Sequence, residues 1–188
     1  MSRLGLFGGT FDPLHLGHLI IAQAICENTP LDRVCFIPSA CPPHKGDDVM
    51  FTANLRYRMT SAALEGYAAF DISDCEMKRE GPSFTVDTLR YFRSHYPGDD
   101  LYFIVGKDNL TEIQTWREPE KIIEMCTILV ADRAGCPDVT VPAWLEGHVA
   151  FVSTPIIEIS STEIRARLRE RKTIAHLVPE AVRLLIES

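Results

Sequence analysis

The sequence predicts an α/β fold: a Rossmann-like, doubly wound parallel sheet with a small helical C-terminal segment. Three observations carry this. Short β-rich apolar runs alternate with helical patterns along most of the 188 residues, as in successive βαβ units. The first run ends on Gly8-Gly9 and leads into an apolar helix, the arrangement that brings a ligand to the carboxyl end of a strand. Beyond about residue 160 the strand pattern stops and two helices close the chain. The length favours one domain, 1–188, with its helical part at about 160–188.

Taken in order, Leu4–Phe7 is the first expected strand, and residues 17–27 are so uniformly apolar that the helix they form must be buried. Strands over Arg33–Ile37 and Phe70–Ser73 flank a helix over 53–66, with Leu55, Met59 and Ala62 on one face. A helix over 84–96 turns Val86, Leu89 and Phe92 to one side. Leu101–Val105, Thr127–Ala131 and His148–Val152 complete the strands. Ser160 followed by Glu163 is a capping box that opens a helix running to about Arg171. Pro179 suits the first turn of a last helix, whose Val182, Leu185 and Ile186 face inward. Between strands two and three, Pro38–Thr52 is long, irregular and rich in proline; such loops in compact domains are often binding loops.

Composition narrows the function. A net charge of −7 argues against a nucleic-acid-binding surface, so any phosphate must be met by a few placed donors. The six cysteines (Cys26, Cys35, Cys41, Cys75, Cys126 and Cys136) form no CxxC pair and no zinc ladder; four lie in or beside apolar runs, as small buried thiols do, and the pattern fits a reducing compartment. No apolar run approaches the ~18 residues of a membrane span, and the start carries no cleavable signal pattern. A cytoplasmic location is expected. A homo-oligomer is compatible with the sequence, which does not reveal a subunit surface.

Residues 8–18 read Gly-Gly-Thr-Phe-Asp-Pro-Leu-His-Leu-Gly-His. Gly8 and Gly9 let a nucleotide approach the backbone without meeting a Cβ. The helix start near Leu16–Gly17 offers free N–H groups and partial positive charge to an anion. His15 and His18, three apart across that start, can reach one ligand and carry charge when protonated. A lone histidine often only caps or fills; the run with Thr10 and Asp12-Pro13 points instead to phosphate. It is not a GxGxxG fingerprint, nor is Gly106-Lys107-Asp108 a P-loop, which needs Ser or Thr after the lysine.

This segment resembles the signature of the nucleotidyltransferase superfamily, whose core is (T/H)xGH. The superfamily's partner motif, ISSTxIR, stands here as Ile159-Ser160-Ser161-Thr162-Glu163-Ile164-Arg165. Within the superfamily the chain is similar to bacterial nicotinate-nucleotide adenylyltransferases over essentially its whole length. His15, Ile164-Arg165, Pro42-Pro43-His44-Lys45, Arg56 with Met59, Thr85–Leu89, Gly106-Lys107-Asp108, Trp116 and Leu177-Val178-Pro179 all follow that pattern. Phe84 and Leu185 stand where tyrosine is common, Lys107 where a small residue is common, and Arg171-Lys172 replaces a frequent glycine.

The resemblance implies adenylyl transfer from ATP to nicotinate mononucleotide, giving nicotinate adenine dinucleotide and pyrophosphate. It also implies Mg2+ carried on the ATP phosphates, without a dedicated protein cage. It places His15, His18 and Arg165 at the reacting phosphates, where the planar fork of Arg165 suits the β/γ-phosphates. Gly8, Gly9, Thr10, Phe11, Gly106, Asp108, Ser161 and Thr162 would bind ATP. His44, Lys45, Thr85, Trp116 and Arg133 would bind the mononucleotide: Trp116 offers a flat face for the pyridine ring, and Thr85 a helix start for its carboxylate. Blander readings are core filling for Trp116 and simple helix capping for Ser161 and Thr162. Other functions compatible with the motifs are an adenylyltransferase for nicotinamide mononucleotide or phosphopantetheine, and a non-catalytic nucleotide-binding module.

Overall fold

Six strands pair side by side, all parallel, in the computed structural model, which describes residues 1–43, 49–133 and 140–188, with Arg133 known by its backbone alone. The strands are β1 (Arg3–Gly9), β2 (Arg33–Pro38), β3 (Phe70–Ile72), β4 (Asp100–Gly106), β5 (Thr127–Arg133) and β6 (Val149–Thr154), in the spatial order β3-β2-β1-β4-β5-β6. The helices are α1 (Leu16–Asn28), α2 (Ala53–Leu64), α3 (Thr85–His95), α4 (Lys107–Glu112), α5 (Pro119–Met125), α6 (Ser161–Arg169) and α7 (Glu180–Glu187). This is the expected doubly wound α/β architecture, with α6 and α7 as its helical C-terminal part.

Strand alternation sends consecutive side chains to opposite layers. In β2, Val34 and Phe36 enter a core with Ile21 and Ile25 of α1, Met59 and Ala63 of α2, Ile164 of α6 and Val182 of α7. Cys35 and Ile37 enter the other core, with Val86, Leu89 and Phe92 of α3, Leu110 of α4 and Ile122 of α5. Both faces of the sheet are thus covered, as a parallel sheet requires.

The sequence boundaries shift by one to a few residues. β1 extends through Gly8 and Gly9, so the two glycines are its last paired residues rather than the turn after it. The helix expected to Arg171 ends at Arg169, and Pro179 is the N-cap of α7 rather than its first residue. α4 and α5, two short helices between β4 and β5, were not expected. Among the described residues no helix is long and apolar enough to cross a membrane.

Candidate active site

The chain runs outward from β1 to β2 and β3, then returns to place β4 on the other side of β1. The helices on either side of such a switch point lie on opposite faces, opening a crevice at the carboxyl ends of the two strands. The cleft lies there. Phe7–Thr10 from the end of β1 and Ile104–Gly106 from the end of β4 line two adjoining compartments, of about 500 and 180 Å³. A third, of about 600 Å³, continues outward from the second past Thr10, Thr85 and Trp116.

The larger of the two inner compartments is bounded by two helix starts. His15 is the N-cap of α1; its backbone N–H donates to His18 Nδ1 at 3.2 Å, and His18 N–H donates back to the His15 carbonyl at 3.0 Å. The imidazoles stack with centroids 3.7 Å apart, and Phe11 stands edge-on to His18 at 5.0 Å. His15 is buried and His18 half-buried, both lining the compartment. Two glycines make this packing possible. A Cβ on Gly17 would come within 3.0 Å of His15 Nδ1, and one on Gly9 within 2.8 Å of the Phe11 ring. Gly9 therefore makes room for Phe11, which is buried with a left-handed backbone (φ 48), as well as lining the cleft.

The opposite boundary is the start of α6. Ser160 caps it by accepting from Glu163 N–H at 3.1 Å, while the Ser161 hydroxyl donates to the Pro13 carbonyl at 2.9 Å and ties the two motifs together. Ser161 and Thr162 line the compartment. Arg165 lies buried beneath them, donating from Nη1 to the Asp12 carbonyl at 3.1 Å and from Nη2 to Thr162 Oγ1 at 3.3 Å. Gly106 and Asp108 complete the wall. Lys107 is buried and reaches Asp132 at 3.0 Å.

The second and third compartments share Ser83, Thr85, Asn109 and Trp116. Thr85 is the first residue of α3, as expected, and Trp116 stands edge-on to Phe103 with centroids 6.1 Å apart. The Ser83 hydroxyl accepts from Ala40 and Cys41 N–H at 3.1 and 3.2 Å, drawing the chain after β2 onto the same wall. His44 and Lys45 lie outside the described residues, and so does the side chain of Arg133.

Sequence reasoning assigned no role to three buried charged residues that organise the site. Asp12 receives Met50 and Phe51 N–H at 2.8 and 2.9 Å. Arg56, about 1% exposed, donates to four backbone carbonyls: Thr10 and Ser39, each at 2.6 Å, Phe51 at 3.1 Å and Ala40 at 3.3 Å. Burial pulls its pKa downward, and the charges of Asp12 and Glu76 act against that. Glu76 lines the second compartment and takes the Thr88 hydroxyl on one oxygen at 2.6 Å; its other oxygen is buried and meets no hydrogen-bond partner among the described residues. A signal for Arg56 did exist, because it falls in register with buried Met59, Thr60 and Ala63. An arginine at a core position of a helix has to be clasping something.

A doubly wound parallel sheet, with paired histidines and a Ser-Thr helix start facing across its switch-point cleft, defines a nucleotide-handling enzyme. The sequence profile of the cytidylyltransferase-like family matches residues 6–167. A probable nicotinate-nucleotide adenylyltransferase of Thermus thermophilus is 44% identical over 185 residues, spanning 98% of this chain and 96% of its own length. Its namesake in Desulfitobacterium hafniense is 40% identical, with 99% and 93% covered. The chain belongs to the cytidylyltransferase-like family, in the group of the nicotinate-nucleotide adenylyltransferases. The same fold occurs in the Plasmodium falciparum nicotinic acid mononucleotide adenylyltransferase complexed with NaAD, at a TM-score of 0.82 and 19% identity over 100% of this chain and 95% of that one.

Proposed function

We propose that the chain transfers the adenylyl group of ATP to nicotinate mononucleotide, forming nicotinate adenine dinucleotide and releasing pyrophosphate. The observation that carries this reading is the junction of the two inner compartments at Gly8–Thr10 and Gly106. Two nucleotides lying end to end would bring their phosphates together there. ATP takes the larger compartment, with its phosphates between the starts of α1 and α6. The mononucleotide takes the other side, its pyridine ring against Trp116 and its carboxylate at the start of α3.

The chemistry asks little of the protein as a base. A phosphate monoester, with a second pKa near ~6, is already largely dianionic at neutral pH. Its oxygen attacks the α-phosphorus, the bond to the bridging oxygen breaks, and pyrophosphate departs with that electron pair. His18 contacts the α-phosphate, His15 meets the phosphates between the two substrates, and Thr10 donates to one of them. These groups hold the reactants in line and stabilise charge as it builds. Arg165 holds the Thr162 hydroxyl in place and supplies positive charge under the β/γ-phosphates. His44 and Lys45 are assigned to the mononucleotide on the family pattern, and Arg133 by its place at the end of β5. Mg2+ carried on the triphosphate would supply further neutralisation. Asp108, the carboxylate on the wall of the larger compartment, fits such a hydrated ion, whereas both oxygens of Asp12 already hold backbone N–H groups.

Pyrophosphate release with ATP plus nicotinate mononucleotide, nicotinamide mononucleotide or phosphopantetheine tests the proposal. The nicotinate substrate should dominate. A preference for phosphopantetheine would refute the substrate while leaving the reaction class standing, and no release with any of the three would leave a binding module.

A further inference from the structure

Arg117 follows Trp116 and lines the outer compartment beside Phe84 and Thr85. Its guanidinium carbon lies 4.9 Å from the centroid of the Phe84 ring, a cation–π contact that fixes where the charge sits. Phe84 is the residue immediately before α3. The stack therefore parks a cation at the helix start whose free N–H groups already favour an anion. Among the described residues lining the second and third compartments, Arg117 is the one cation; the acids are Glu76, tied to Thr88, and Glu112 at the end of α4.

Two neighbouring acids stand at ion-pair distance and partly offset the Arg117 charge: Asp87 and Glu118 each lie 3.7 Å from it, while their shorter bonds go to Arg90, at 2.9 and 2.6 Å. The backbone at Glu118 is left-handed (φ 51, ψ 57), uncommon for a residue with a side chain, and it turns the chain into α5 directly after Arg117. Such a turn, held by the Arg90–Glu118 bond, sets where the 116–117 corner meets the cleft.

We infer that Arg117 is a specificity-determining residue: its charge raises this site's preference for an anionic pyridine carboxylate over the neutral carboxamide. The inference rests on the function proposed above. A carboxylate at the start of α3 gains Coulomb attraction from the guanidinium, while a carboxamide in the same place gains almost none. Arg117 is 52% exposed, so solvent screening holds the effect to about fivefold.

The test uses the purified full chain, assayed with ATP and either nicotinate or nicotinamide mononucleotide, as wild type, Arg117→Gln and Arg117→Lys. Arg117→Gln should raise KM for the acid about fivefold while leaving KM for the amide and for ATP within about twofold. Arg117→Lys, which keeps the charge, should restore most of the acid preference. Equal losses on both mononucleotides would make Arg117 a merely structural residue, and an unchanged acid-to-amide ratio would overturn the inference. Wild-type protein that turns over neither mononucleotide would refute the proposed function first, and the inference with it.

Discussion

His18 is held from three sides before any substrate arrives: by the His15 ring at 3.7 Å, by the edge of Phe11 at 5.0 Å, and by the His15 N–H on Nδ1. With Nδ1 accepting that N–H, the ring proton of the neutral imidazole sits on Nε2, the nitrogen suited to a phosphate. His18→Ala should therefore lower turnover by at least about a hundredfold, as for loss of a charge-stabilising donor, with substrate binding changed far less. Near-normal turnover would remove His18 from the mechanism. Trp116→Ala should act differently, raising KM for the pyridine nucleotide and sparing that for ATP; a selective effect on ATP would reverse the assignment of the compartments. His15 and His18 were legible in the sequence because they are contiguous with the glycines that accommodate them. Asp12 and Glu76 were not, because their partners at 50, 51 and 88 are brought to them only by the fold.

At the scale of elements, α2 carries more of the site than its apolar face suggests. Arg56 on its buried side joins the carbonyl after β1 (Thr10), those after β2 (Ser39, Ala40) and that of Phe51 just before the helix. One side chain thus ties the cleft's central loop to the chain that leads into 44–48. Arg56→Met would leave buried carbonyls without their donor, each costing about 1–3 kcal/mol. Urea unfolding should show a loss of at least about 3 kcal/mol, with a smaller loss for Arg56→Lys; a loss below about 1 kcal/mol would mean that solvent or neighbours replace the donor. The long helices were legible from apolar spacing or, for α6, from its capping box. The stretch over α4 and α5 was not, since these helices are only six and seven residues long and each buries a single apolar side chain, Leu110 and Ile122, too few to show a period. It is nevertheless this stretch that delivers Asn109, Trp116 and Arg117 to the cleft.

For the whole molecule, the alternation of strands and helices announced a parallel sheet, but the place of the switch point is a matter of strand order, which no local pattern encodes. The same two-layer construction makes a prediction about stability. Cys35 on β2 and Cys126 just before β5 both project into the α3–α5 core, where burial pushes each thiol up to about 12 from an ordinary value of 9.0. Between those values the folded protein keeps protons that the unfolded chain releases, so the unfolded state binds fewer protons and stability falls as pH rises. Each thiol contributes a slope of up to about 1.4 kcal/mol per pH unit, and the full benefit is present only below the unfolded value. Urea unfolding followed from about pH 8 to about pH 10.5 should show this decline. In a Cys35→Ala/Cys126→Ala double variant the decline should be shallower by up to about 2.7 kcal/mol per pH unit, whatever the variant's absolute stability. An equally steep decline in the double variant would assign the alkaline titration to other groups, Tyr57 among them, whose pKa burial also raises.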